Sequence, residues 1–226
     1  MQLTSMRWFW RSLLFGGFAV PTFTLIFLKL VGAGRGLGPA DAGHFLAGMV
    51  VVSLLFGNMS QTASRFAFLR TTGALDYYAT LLTRKVLLIL AVVLAFLVMS
   101  LPGVLFALTV GGLWLGVSLR PSPLLIPALM LGALSLSVLG ATIGVYSQTP
   151  EQSSLTINLL TLGLSILSPV LAPRETLPWA LQWTSFVTPT TYAVQAVRAA
   201  LAGQIDASFW RDLAVLCAFC GVAIVL

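Results

Sequence analysis

Charge is what this chain has least of: only 8% of its 226 residues are Asp, Glu, Lys or Arg. A soluble globular domain carries about 25%. That shortage excludes a soluble enzyme, a disordered segment and a nucleic-acid binder. Cysteine is reduced to Cys217 and Cys220, and histidine to His44. The two thiols are spaced i, i+3 and share a helix face, but a metal site needs about four ligands. No His or Asp cluster accompanies them, so they read as inert packing residues. His44 lies near a span boundary with no Cys, Ser–Asp or metal partner in view, and reads as an ordinary interfacial residue. The lysines, Lys29 and Lys85, do not sit in a GxxxxGK[ST] phosphate loop. Neither GxSxG nor HExxH occurs. The chain is therefore not expected to be an enzyme or, by itself, an ATPase, and no cofactor or metal is expected on it.

Apolar residues are abundant: 58% of the chain is hydrophobic and its mean hydropathy is +1.00. Uncharged runs extend over Ser12–Leu28, Ala42–Ser64, Val86–Leu119, Pro121–Pro150 and Gln152–Pro173. A helix needs about 20 apolar residues to cross a bilayer. A transmembrane barrel would instead show short segments of alternating polarity. The fold class expected is an all-α polytopic membrane protein, a single transmembrane domain over 1–226. Six spans are expected, near 11–30, 42–61, 86–110, 124–146, 153–170 and 208–226. Asp41 is placed to cap the second, and Pro102–Gly103 to kink the third. The tail of the third, Gly111 to Arg120, reads as interfacial, with Trp114 at the boundary. Residues 171–206 are amphipathic and broken by Pro173, Pro178 and Pro189. No small-residue cleavage site follows the first apolar run, so the first span is expected to stay in the mature protein.

Residues 1–13 read as an amphipathic helix in the membrane interface. Arg7 and Arg11 lie i, i+4, with Trp8 and Trp10 beside them, and tryptophan favours the membrane–water boundary. This helix either simply flanks the first span or lies as an elbow in the cytoplasmic interface. Counted over all loops, the cations tie. Arg7, Arg11, Arg65, Arg70, Arg84 and Lys85 lie on one side; Lys29, Arg35, Arg120, Arg174, Arg198 and Arg211 lie on the other. The positive-inside rule weights short, dense loops near span ends. The 65–85 loop and both termini are therefore expected in the cytoplasm.

Polar residues recur within two spans. Ser154, Asn158, Thr161 and Ser165 form one helical stripe, and Ser53, Gly57, Gln61 and Ser64 another. Such stripes either line a substrate path or join helices by close packing. Gly140 and Gly144 form a GxxxG pair that reads as packing. In the 65–85 loop, Leu75, Tyr78 and Leu82 fall at i, i+3 and i+7, a short amphipathic helix with Asp76 near its start, where the helix dipole favours an acid. That helix either docks into another protein or lies on the lipid surface.

Three stretches carry a family resemblance. The segment Thr72-Gly73-Ala74-Leu75-Asp76-Tyr77-Tyr78-Ala79-Thr80-Leu81, followed by Arg84, is similar to the coupling-helix region R-x-x-G-x-L-x-x-L…P-x-x-R. Ser168-Pro169-Val170 with Leu177-Pro178-Trp179-Ala180-Leu181-Gln182 resembles the external segment SP…LP-x-W-L-Q. Thr188-Pro189-Thr190-Thr191-Tyr192, then Arg198 and Gly203, looks like NP-L-T-Y…R…G. Together, over roughly residues 50–205, they resemble the permease subunit of an ATP-binding-cassette exporter of the type-2 class. Leu82 stands where that family often has proline, Thr188 where it usually has asparagine, and Ala63 and Ser64 where a glutamate is frequent.

The resemblance implies a pathway formed by two permease copies, identical or related, and driven by separate ATPase subunits that bind ATP and Mg. Leu75, Asp76, Tyr77, Tyr78, Thr80 and Leu81 would be the coupling helix. Arg7, Trp8, Trp10 and Arg11 would mark the elbow helix, and 171–206 would be re-entrant on the outer face. Ser53, Gly57, Gln61, Asn158, Thr161 and Ser165 become candidates to line the pathway. The setting implied is the inner membrane, with lipid as the other partner and no nucleic acid. An amphipathic drug-like molecule, a lipid or a glycan would be the substrate. The rival classes are a passive channel or secondary transporter, which works without an ATPase, and an intramembrane enzyme, which needs a polar catalytic cluster within the spans.

Overall fold

Pro39 opens the first described helix, α1 (Pro39–Leu54). Proline suits a first helical position, because its missing N–H would have had no partner there. Asp41 thus lies inside the first turn, not before it as the cap expected from the sequence. The structure is a computed structural model that describes residues 22–23, 26, 39–75, 85–115, 122–167 and 188–225. Most of the first expected span and all of residues 1–13 lie outside those residues.

At Leu55 the helix widens into a π-helical segment, Leu55–Met59, where the Ser60 N–H reaches back to the Leu55 carbonyl. A π turn winds an extra residue into the rod and shifts the phase of every side chain beyond it. The rod continues as α2 (Ser60–Thr71), so Ala42–Thr71 is one 30-residue stretch, about 45 Å long at 1.5 Å per residue. The second span was expected to end near 61. It continues because nothing breaks the helix before Gly73, whose φ of +68° ends it. The Thr72 N–H bonds the Phe68 carbonyl at 3.1 Å and the Gly73 N–H bonds the Arg70 carbonyl at 3.0 Å, a left-handed glycine stop.

Helix α3 (Lys85–Leu115) has 31 residues and runs through Pro102. It lies antiparallel to α1: a Cβ added at Gly57 would sit 3.3 Å from Ser100 Cβ, and one at Gly111 would sit 2.7 Å from Leu46 Cδ1. Helix α4 (Leu125–Tyr146) follows, then α5 (Pro150–Leu167), α6 (Pro189–Ala202) and α7 (Ala207–Val225). Every regular element among the described residues is helical. Three of these stretches, Ala42–Thr71, Leu94–Trp114 and Leu125–Tyr146, are long and apolar enough to cross a membrane.

The α4–α5 turn is tightly specified. Ser147 returns both its N–H (3.0 Å) and its hydroxyl (2.6 Å) to the Ile143 carbonyl. The Gln152 N–H bonds Thr149 Oγ1 at 3.1 Å, and Gln152 Oε1 accepts from the Gln148 N–H at 3.0 Å. This is a capping box around Thr149-Pro150-Glu151-Gln152. It starts α5 at Pro150, ahead of the Ser153 expected from hydropathy alone.

Helix order sorts the two ends of the molecule. Ala193 of α6 faces Gly132 of α4, and the Ala200 carbonyl accepts the Ser122 N–H at 3.0 Å just before α4 begins. So α6 ends, and α7 begins, at the N-terminal end of α4. At the C-terminal end of α4, α2 ends and α5 begins. The 14 residues of α6 span only about 21 Å, less than the roughly 30 Å of a bilayer core. Nine of its residues are buried, Pro189 and Leu201 at its ends and seven Ala, Val and Thr side chains between them, small enough to pack among α1, α4 and α7.

Helix α7 packs through Phe209, Leu213 and Leu216, spaced i, i+4, i+7. That face leaves Cys217 exposed and Cys220 half-buried, both as free thiols. The expectation that both are packing residues is therefore corrected for Cys217. Asp212 is buried in the second turn of α7, with Arg211 Nη2 at 3.3 Å from its carboxylate. His44 is buried near the start of α1.

Candidate functional site

The centre of the molecule is a seam of small residues between the α1–π–α2 rod and α4. Between helices in lipid, apolar surface supplies little driving force. Association rests on close fit and hydrogen bonds instead. Gly140 lies against the Met59 carbonyl and Gly144 against the Ala63 carbonyl, so closely that a Cβ at either would overlap the oxygen. At Gly144 it would also come within 2.9 Å of Phe66 Cβ. Residue numbers rise together along the seam (58 with 137, 59 with 140, 63 with 144), so the two helices are parallel.

Buried polar atoms follow this seam. Ser137 donates its hydroxyl to Asn58 Oδ1 at 2.7 Å. Asn58 belongs to the π segment and is fully buried, and its Nδ2 has no hydrogen-bond partner among the described residues. One turn on, Thr62 is also fully buried with an unpartnered hydroxyl. Each such atom costs about 1–3 kcal/mol in a dry interior. From the π segment Asn58 meets α4 at Ser137, and sequence periodicity carries no trace of that extra residue.

The candidate pathway residues fall on both sides of this packing. Ser53 is buried in α1, and Gly57 touches α3 at Ser100. Gln61 is half-buried. On α5, Thr161 is fully buried with an unpartnered hydroxyl, and Ser165 donates to the Thr161 carbonyl at 2.7 Å. Asn158 is exposed, beside the exposed Leu155, Leu159 and Leu162. The α5 stripe is thus split between a buried edge and an exposed one. Next to the two stripes, Ser153 Oγ of α5 lies 3.5 Å from the Ala63 carbonyl of α2.

At the C-terminal end of α4 the surface turns polar and basic. Arg70 on α2 donates to the Val145 carbonyl and, at 3.2 Å, to the Ser147 carbonyl. The Arg65 guanidinium lies 5.9 Å from the centre of the exposed Phe68 ring. Leu75, half-buried and helical, is the last described residue of this segment. Asp76, Tyr77, Tyr78, Thr80 and Leu81 lie outside the described residues, as do Arg7, Trp8, Trp10 and Arg11 and residues 171–187. At the opposite end, Trp114 closes α3 and Trp210 opens α7, both more than half exposed. Tryptophans so placed mark a membrane–water boundary. Among the described residues no group of three His, Cys, Asp or Glu could hold a metal.

The described residues are helical, with apolar stretches long enough to cross a membrane and a small-residue seam between them. Residues 3–202 match the ABC-2 type transporter family. The chain belongs to that family: it is an integral membrane protein and a transport component, the permease part of an ABC transporter. Permeases of this kind work with an ATPase subunit. No curated protein matches the sequence.

Proposed function

We propose that this chain is the membrane subunit of an ATP-driven exporter, forming the translocation pathway with a second permease copy. Six spans cross the inner membrane with both termini in the cytoplasm. Residues 1–13 form the elbow helix, with Arg7, Trp8, Trp10 and Arg11 at the headgroups. Leu75, Asp76, Tyr77, Tyr78, Thr80 and Leu81 form the coupling helix, which docks into a separate ATPase subunit that binds ATP and Mg. Residues 171–206 re-enter the membrane from outside. The pathway is lined from Ser53, Gly57, Gln61, Asn158, Thr161 and Ser165. The cargo is amphipathic: a drug-like molecule, a lipid or a glycan.

The observation that carries this reading is the sorting of helix ends. The end of α2, the end of α4 and the start of α5 lie together, with Arg65 and Arg70, a few residues before Leu75. Basic residues at one end support a cytoplasmic placement. The short α6 ends at the other end, beside the exposed Trp210 of α7, which supports a re-entrant segment there. Non-spanning backbone at membrane depth is tolerated where protein covers it, and α6 is covered by α1, α4 and α7.

The mechanism follows from the packing. ATP binding closes the ATPase pair and displaces the coupling helix. The displacement enters the bundle at the C-terminal end of α2. The α2–α4 seam carries that displacement into the bundle, and the unsatisfied Asn58 and Thr62 groups favour any arrangement that gives them a partner. Purifying the tagged chain from its source membranes tests the reading. An ATPase should co-purify and should be lost from the Leu75→Asp, Tyr77→Asp, Tyr78→Asp variant. A chain that purifies without any ATPase contradicts it.

A further inference from the structure

The bonds from Arg70 to α4 do something that neither helix needs for its own fold. Arg70 lies in the last turn of α2, three residues before Gly73, where the helix ends. Gly73 has no atom near the position of a Cβ and adopts φ +68°, so the joint itself is open. The carbonyls of a helix's last turn have no helical N–H to accept from. Val145 is such a residue, because Ser147 turns the backbone to ψ 136°. Arg70 fills that need from another helix, and a cation is favoured at a helix C-terminus. The Val145–Gln152 stretch is joined within itself by the Ser147 bonds to Ile143 and the Thr149–Gln152 capping bonds. Holding the Val145 and Ser147 carbonyls therefore holds the start of α5 as well.

We propose that Arg70 is the positioning residue that ties the root of the 72–84 segment to the α4–α5 turn, so that a push on that segment moves α4 and α5 together. The proposal rests on the exporter reading above. Without Arg70, the push would bend the chain at Gly73 and dissipate there. The helix seam at Gly140 and Gly144 would still hold α2 beside α4, but it lies along the helices and does not reach the Val145–Gln152 turn.

The test is amide hydrogen exchange on the purified permease–ATPase complex in lipid nanodiscs, with and without a non-hydrolysable ATP analogue. In the wild type, nucleotide should change exchange rates severalfold in both 72–84 and 143–152. In Arg70→Ala the response at 72–84 should persist, while that at 143–152 falls by about tenfold or vanishes. Arg70→Lys, which keeps a cationic donor, should restore much of it. Arg70→Gln serves if the alanine variant does not assemble. A full 143–152 response in Arg70→Ala or Arg70→Gln overturns the inference and leaves the exporter reading intact. If nucleotide moves neither segment in the wild type, the exporter reading itself has failed and this inference falls with it.

Discussion

Adding one methyl group at Gly144 should destabilise the molecule, although alanine is the better helix former. Glycine inside a helix is worse than alanine by about 0.5–1 kcal/mol, so Gly→Ala in open space should stabilise. Gly43 and Gly221 are such positions, with no atom within 4 Å of an added Cβ. At Gly144 the new Cβ would overlap the Ala63 carbonyl and come within 2.9 Å of Phe66 Cβ. The obstructing atoms are backbone in mid-helix, so α2 and α4 must separate along their length. Overpacking of this kind costs about 1–3 kcal/mol, and subtracting the propensity gain leaves a net loss of about 1–2 kcal/mol. For a chain of this size each kcal/mol moves the midpoint by about 2–4 °C. The assay is thermal unfolding of the detergent-solubilised protein, with Gly43→Ala and Gly221→Ala as controls. Gly144→Ala should melt lower than wild type by about 2–8 °C, and the controls at or above it. Equal melting of Gly144→Ala and the controls would refute the close α2–α4 contact.

The seam's polar atoms can be tested in the same way. Ser137→Ala leaves Asn58 Oδ1 unpartnered beside an already unpartnered Nδ2, and should cost about 1–3 kcal/mol; combining it with Asn58→Leu should cost clearly less than the sum of the two single changes, read from a double-mutant cycle of melting temperatures. Thr149→Ala should cost about 0.5–2 kcal/mol by removing the α5 cap, with faster amide exchange confined to residues 149–153. Faster exchange spread along all of α5 would show that the cap does not act locally.

Long uncharged runs read well because a bilayer imposes a length and a composition on whatever crosses it. Helix α4 was expected over 124–146 and occupies Leu125–Tyr146. The start of α5 was missed although Thr149-Pro150-Glu151-Gln152 carries a capping box, a local signal that hydropathy alone does not register. The end of α2 was missed for the opposite reason. Arg65 and Arg70 look like the start of a loop, yet both are accommodated on a helix that continues to Gly73, one over Phe68 and the other against α4. The π segment was not legible at all. It depends on Gly57 meeting Ser100 and on Asn58 meeting Ser137, contacts with residues some 40 and 79 positions away. The split of the α5 stripe has the same origin: spacing places Asn158 and Thr161 on one stripe, and only the packing of the neighbouring helices decides which of them is covered.

Reconstitution measures the central claim most directly. The purified chain, alone and together with the ATPase that co-purifies with it, is placed in liposomes loaded with a panel of amphipathic fluorescent solutes. The account predicts solute movement only with the ATPase and ATP present, and its loss when Leu75, Tyr77 and Tyr78 are changed to aspartate. Solute movement by the chain alone, without ATP, would contradict it and leave a channel or carrier in its place.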